Sequence, residues 1–379
     1  IKIPQHGPCM HYFRRDEIAM SRILAVNPGS TSTKIAVYEE GKETLKDNIP
    51  VDQNVISAYK YVLGQLDHRF ELIRQALLRK GILPESFDAV VGRGGILAPI
   101  PSGTYLVTKE MTDYLTAAPR GEHASNLGAF IAQKFAEMSG CRAFIVDPVS
   151  VDELTEVARI SGAPEIKRSS LVHSLNQKAV ARKAAADLGK KYEDCRFVVA
   201  HLGTGITIGA HCGGKIVDVI GAKADGPFSP ERAGGLPVGE LVDLIFSGKY
   251  TETELKKKLL SGWGMVAYLG TRDIREACKM AEHDPEAKLV LQAMVYQIAK
   301  GIGEMSTVLD GDIDSIILTG GMAYSEILIG MLIKKIRFLA PITVIPGENE
   351  LEALCKGAER VLMKEERPRL YPSGEFVVI

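Results

Sequence analysis

Two turns in this chain carry side chains suited to holding phosphate. In the first, Asn27-Pro-Gly-Ser-Thr-Ser-Thr-Lys34, Gly29 permits close backbone approach, Ser30, Thr31, Ser32 and Thr33 offer hydroxyls, and Lys34 adds a positive charge. Apolar runs flank it, Arg22 to Val26 before and Ile35 to Tyr38 after, so the turn joins two strands. A Walker loop needs a second Gly before its Lys, and a dinucleotide fingerprint must open a helix; both readings are excluded. Taken alone, the turn is equally well explained as a plain polar hairpin.

The second turn, His201-Leu-Gly-Thr-Gly205, repeats the pattern between Phe197 to Ala200 and Ile206 to His211. Each hairpin then meets a Gly-Lys turn, Gly41-Lys42 and Gly214-Lys215, with registers agreeing to within about one residue. An internal duplication follows from this. Two facing hairpins would grip a polyphosphate between similar halves.

Four further residues stand where chemistry is plausible. Arg93 lies among glycines in Gly92-Arg-Gly-Gly95 at the end of the apolar run Ala89 to Val91. The glycines would expose backbone and leave one guanidinium projecting, as an anion clamp or as a solvated turn. Asp147 ends the strand Ala143 to Val146 just before Pro148, at the end of a strand where α/β proteins face ligands and where turn formers also sit. His173 precedes an alanine-rich helix expected over Gln177 to Leu188, either as a ligand group or as a satisfied structural histidine. Arg232 sits inside Asp225-Gly-Pro-Phe-Ser-Pro-Glu-Arg-Ala-Gly-Gly-Leu-Pro237, an irregular segment read as functional.

The positioning elements follow from periodicity. Amphipathic helices are expected over Gln65 to Lys80, after Ser125 or Asn126 as N-cap up to Gly140, over Pro285 to Leu309, and from Glu350 to about Lys364. The Leu291, Met294, Ile298, Ile302 and Met305 stripe is core packing. Asp314-Ser-Ile-Ile-Leu-Thr-Gly-Gly-Met322 reads as a buried strand ending in a Gly pair against which an adenosine would lie.

With 379 residues, 46% of them hydrophobic and 25% charged, the chain suits two globular domains that need no disulfide or metal to fold. A net charge of −1 without a long run of one sign argues against nucleic acid and anionic membrane as partners. Six cysteines without a C-x-x-C pair point to reduced thiols in a cytoplasm. Residues 1–20 lack an apolar stretch and are expected outside the fold, as an upstream misread start before Met20 or as a tail covering a neighbouring subunit.

From Arg22 to about Arg360 the chain resembles the acetate and butyrate kinase family, within the actin, sugar-kinase and Hsp70 superfamily. Three motifs carry the resemblance in order: Asn27 to Lys34, His201 to Gly205, and Thr319-Gly-Gly-Met322. It implies an α/β fold of two duplicated ribonuclease-H-like domains, actin-like in architecture, with the active site in the cleft between them. The expected units are residues 21–152, joined by a C-terminal helix at about 355–379, and a nucleotide-binding domain over 153–354.

The resemblance also implies roles. ATP or ADP would be bound through Gly29, Ser30, Ser32 and Lys34, through His201, Gly203, Thr204 and Gly205, and through Gly320, Gly321 and Met322. Arg93 and Arg232 would clamp the carboxylate and the transferring phosphoryl group, with His173 as a donor to it. Asn27, Asp147 and Glu350 would place Mg²⁺, with Glu348 as the rival of Glu350 and His123 as a lesser neighbour. Asn27 stands where sugar kinases and chaperones carry Asp; an amide orients metal-bound water without adding charge, though a tolerated turn residue is the plain alternative.

The Gly92-Arg-Gly-Gly95, Gly103-Thr-Tyr and Asp225 to Arg232 segments are similar to the butyrate branch, and Thr204 stands where acetate kinases have Asn. The expected reaction is reversible transfer of the γ-phosphoryl group of ATP to butyrate or a branched analogue, in a homo-oligomer. Acetate or propionate kinase, a nucleotide-sensing or chaperone-like ATPase, and a small-sugar kinase are the alternatives.

Overall fold

The computed structural model describes residues 21–221 and 225–378; the expectation for residues 1–20 falls outside them. Strand β1 (Arg22–Pro28) is buried on both faces, which is why its apolar run is continuous rather than alternating. It hairpins antiparallel onto β2 (Ser32–Glu39), with Asn27 opposite Lys34 and Pro28 opposite Thr33. Strand β3 (Lys42–Pro50) pairs antiparallel with β2; β4 (Ala89–Arg93) runs parallel to β1; and β6 (Arg142–Val146) runs parallel to β4. The short β5 (Thr104–Leu106) closes the far edge of this six-stranded sheet, antiparallel to β6.

The second sheet repeats the plan. Strands β7 (Arg196–Leu202), β8 (Ile206–Cys212) and β9 (Lys215–Ile220) form the antiparallel meander, and β10 (Ser315–Gly320) and β11 (Ile342–Pro346) add parallel to β7 and to β10. Both second strands even carry a register shift at matching places, Val37/Tyr38 and Ala210/His211. The duplication read from the two turns thus extends to five strands of each sheet, with β5 the addition in the first.

Two helices lie between the sheets. Helix Ser174–Asp187 packs Val180, Ala181 and Ala184 against Phe197, Val199 and Ile317 of the second sheet. Helix Glu350–Leu362 packs Leu351, Leu354 and Ala358 against Ile23, Ala25, Val91 and Phe144 of the first, in a cluster that also takes in Leu175. Helices Leu66–Arg79 and Leu127–Ser139 cover the other face of the first sheet, and Pro285–Val308 covers that of the second. The Met and Leu stripe of that last helix is buried, as its spacing requires. Among the described residues no helix is long and apolar enough to cross a membrane.

One local expectation is corrected and one is refined. The alanine-rich helix starts at Ser174 rather than Gln177, because Gln177 N–H closes a first turn onto the His173 carbonyl at 2.9 Å while Ser174 Oγ donates to the carbonyls of Asp147 and Pro148. Asn126 occupies the N-cap position of helix Leu127–Ser139, as expected, but makes no capping bond through its side chain; His123 Nδ1 accepts the Ser125 N–H at 3.2 Å and starts a 3₁₀ turn that runs into the helix.

Candidate active site

The glycines around Arg93 do a different job from the one expected of them. A Cβ at Gly92 would stand 2.1 Å from the Gly128 carbonyl oxygen, one at Gly94 2.5 Å from Pro148, and one at Gly95 2.5 Å from Asn126. They let helix Leu127–Ser139 and the Asp147 turn close onto β4, and this close packing fixes where the Arg93 stem leaves the strand. Its guanidinium meets Glu350 at 3.2 and 3.0 Å through its two terminal nitrogens and Asn27 Oδ1 at 3.4 Å. Asn27 Nδ2 donates to Glu350 Oε2 at 2.5 Å. The three residues, from β1, from the end of β4 and from the N-terminus of helix Glu350–Leu362, form one partly buried knot.

His173 and His201 stack with ring centroids 3.9 Å apart and planes 11° from parallel. His201 Nε2 faces Glu348 Oε1 at 3.0 Å. That hydrogen bond, against the opposing effect of burial, keeps the Glu348 carboxyl below the usual carboxylate range, aided by Arg93 and Lys34. Burial, then His201, Arg232 and Arg93, push His173 well below the ordinary histidine range, so its imidazole is neutral. Burial and Arg93 also lower His123, which sits behind the site. Asp147, in left-handed backbone at φ 39°, is fully engaged: Oδ1 accepts the Gly103 N–H at 2.8 Å and Oδ2 pairs with Arg182 at 3.2 Å. Arg93, Asp147, His173, Asn176 and Glu350 line one small pocket.

Arg232 is positioned from beneath the second hairpin. A Cβ at Gly205 would lie 2.7 Å from the Arg232 Cζ, and Arg232 Nε is buried without a hydrogen-bond partner. An unpaired buried donor is costly to leave so, and an anion at its guanidinium answers that need. Gly203, Thr204, Gly321 and Met322 meet in a cleft of about 940 Å³ that Arg272, Arg275, Lys279 and Tyr324 also line. Gly321 is open, with nothing within 4 Å of where a Cβ would stand, whereas Gly320, at φ 90°, packs against the Leu202 carbonyl and supports the turn from behind.

In the first hairpin the Gly29 N–H is spent within the turn on Ser32 O at 2.8 Å, and Ser30 and Thr31 are exposed at its tip. Lys34 shares a pocket with Asn27, Glu348 and Glu350. Sequence reasoning missed Arg182, Asn176, Gln177, Thr207 and the basic lining of the large cleft. Asn176 and Gln177 follow His173 by three and four residues, the helical spacing that puts them on its face, and the misplaced helix start hid that signal.

Asn27, Glu348 and Glu350 present hard oxygen donors around one pocket, the chemistry Mg²⁺ prefers. Among the described residues there is no cluster of three or more His, Cys, Asp or Glu able to cage a metal.

The Acetokinase family model matches residues 165–363, which span the second hairpin, Arg232 and Glu350. Butyrate kinase 2 of Clostridium acetobutylicum is 49% identical over 352 residues, covering 92% of this chain and 99% of the relative. The chain belongs to the acetokinase family. Its fold agrees with that of Porphyromonas gingivalis acetate kinase, at a TM-score of 0.74 and 19% identity over 90% of this chain and 100% of that one. A propionate kinase from Francisella tularensis matches at a TM-score of 0.69 and 19% identity over 88% and 98%. The two sheets and interposed helices are therefore the two-domain, actin-like ATPase fold of acetokinases.

Proposed function

We propose that this chain, a carboxylate phosphotransferase by family, transfers the γ-phosphoryl group of ATP reversibly to butyrate or a branched four- to five-carbon analogue, giving an acyl phosphate and ADP by direct in-line transfer. The observation that carries the reading is Arg93 lining one small pocket with His173, while Arg232 stands against the Gly205 turn with its buried Nε unpartnered, in a chain 49% identical to a butyrate kinase. A short-chain acid is already ionised at neutral pH, with a pKa of about 4 to 5 by analogy with side-chain carboxyls, so no general base is needed. The obstacle is bringing one anion up to another, and the arginines offset it.

In this mechanism Arg93 takes the acid, Arg232 the phosphoryl group, and His173 donates to an equatorial oxygen. Gly203, Thr204, Gly321 and Met322 hold the nucleotide, and Lys34 reaches the phosphates. Mg²⁺, held through Asn27, Glu350 and Glu348 with Asp147 behind, would neutralise β- and γ-phosphate charge. Closure of units 21–152 and 153–354 excludes water.

The same reading includes a cytoplasmic homo-oligomer. Five free cysteines among the described residues suit a reducing compartment. The helix Val238–Phe246 buries none of its side chains, and Phe246, 84% exposed, stands on the helix bordering an apolar groove of about 690 Å³ lined by Leu236, Leu241, Leu244 and Trp263. An apolar helix beside an apolar groove on one face is a surface that a second copy of this chain would cover, which supports the homo-oligomer. Light scattering on wild type and Phe246→Glu tests this, with a shift toward monomer expected.

Trapping acyl phosphate with hydroxylamine, across acids from acetate to valerate, tests the reaction. Hydroxamate is expected with a maximum at butyrate or isobutyrate. No hydroxamate with any acid would remove the kinase reading, and a maximum at acetate would remove the chain-length assignment.

A further inference from the structure

A buried line of polar side chains runs from His173 away from the cleft: Thr207, Gln177, His211 and Tyr192. None of these four is more than 5% exposed, so each donor and acceptor must be answered inside the protein. The direction of every bond can be worked out from the one partner that has no choice. The Thr207 backbone carbonyl only accepts, and Gln177 Nε2 lies 3.1 Å from it and 2.9 Å from Thr207 Oγ1. The amide nitrogen therefore faces Thr207, and both its hydrogens are used there.

Two consequences follow in opposite directions along the line. Gln177 Oε1, facing His211 Nε2 at 3.0 Å, can only accept, so His211 carries its proton on Nε2 and takes the Tyr192 hydroxyl proton on Nδ1 at 2.8 Å. Thr207 Oγ1, already accepting from Gln177, has its own proton left for His173 Nδ1 at 2.9 Å. With the opposite tautomer, Oγ1 would face two donors and the buried hydroxyl proton would have no acceptor. Gly209, two residues along β8 from Thr207, makes room for this arrangement, since a Cβ there would stand 2.6 Å from Gln177 Oε1.

The neighbouring residue sets the stacked partner in the same way. Thr319 Oγ1 donates to the Gly347 carbonyl at 3.1 Å and so accepts from Asn176 Nδ2 at 3.2 Å; the same amide nitrogen donates to His201 Nδ1 at 2.8 Å. Consecutive amides on one helical turn thus leave both stacked rings with the proton on Nε2.

We propose that Thr207 and Gln177 are positioning residues that hold His173 as its Nε2–H tautomer, so that the ring always offers a donor to the transferring phosphoryl group. The inference rests on the donor role assigned to His173 above. Neither residue touches substrate; both act through the ring. The alternative tautomer would aim a lone pair at a phosphate oxygen and repel it.

The test uses the full chain with ¹⁵N-labelled histidine, reading the His173 ring by NMR alongside steady-state kinetics. Wild type is expected to give the Nε2–H signature at His173. Thr207→Val, which removes only the hydroxyl, should give a mixture of tautomers and lower kcat by ~10²-fold, the scale of losing one preorganised donor, with little change in KM. Thr207→Ser should restore both signature and rate. Gln177→Glu, which replaces the amide donor facing Thr207 by a carboxylate acceptor, should drive His173 to Nδ1–H. An Nδ1–H signature in wild type, or full kcat with unchanged tautomer in Thr207→Val, overturns the proposal. Full turnover in His173→Ala would instead remove the donor role itself, while the wild-type spectrum still decides the tautomer.

Discussion

The Arg93 guanidinium grips the Glu350 carboxylate through both terminal nitrogens, at 3.2 and 3.0 Å, across 257 residues of chain. The arginine proposed to hold the substrate acid is thus already holding a carboxylate, and one proposed to serve the metal. Substrate and metal binding must divide this pair between them. Arg93→Ala is expected to lower kcat by ~10³-fold, the low end of an arginine-finger effect. Arg93→Lys should fail to restore it, since one ammonium cannot meet two oxygens in a fixed plane. Hydroxamate-coupled kinetics within ten-fold of wild type for the Lys variant would refute the clamp.

Gly205 is predicted to be intolerant for a reason visible only at Arg232. A methyl group 2.7 Å from Cζ must push the guanidinium aside. A displacement of this order typically costs ~10²-fold in rate. Gly205→Ala should show that loss in kcat with a near-wild-type melting temperature, and normal turnover would dissociate Arg232 from the chemistry.

Gly92→Ala should act on stability first. Its Cβ would meet a backbone oxygen, not a flexible side chain, 2.1 Å away, so β4 or helix Leu127–Ser139 has to move. Overpacking of this kind costs ~3 kcal/mol. Calorimetry should show a lowered melting temperature together with lost activity, because Arg93 moves with its strand.

The buried histidines predict an acid-side loss of stability. Burial, reinforced by Lys178, brings His211 down from 6.5 to about 3, so the folded state favours its neutral form. That contribution is fully present above pH 6.5 and is lost as pH falls toward 3, because the unfolded chain then binds the proton more readily. The slope approaches ~1.4 kcal/mol per pH unit for one such group. Denaturant unfolding between pH 7.5 and 5 should show it, and His211→Phe should flatten the curve over that window.

What the sequence carried by itself was local and repeated. Alternation and apolar runs marked the hairpins, the Gly-Lys turns marked the duplication, and the Met and Leu stripe of Pro285–Val308 marked a core helix, because periods of 2 and 3.6 are written in neighbouring residues. The motif residues Gly203, Thr204, Gly321 and Met322 were readable too, and the fold brings them to one cleft. The tertiary structure alone decided how the groups are spent. It committed the Gly29 N–H to its own turn, tied Asp147 to Arg182, showed the glycines beside Arg93 to be packing contacts, and ran a hydrogen-bonded line behind His173. The physical reason is that each of these depends on which distant donor, acceptor or backbone arrives within contact distance, and the contact between Asn27 and Glu350 is made by the packing of helix Glu350–Leu362 against the first sheet, which no local spacing records.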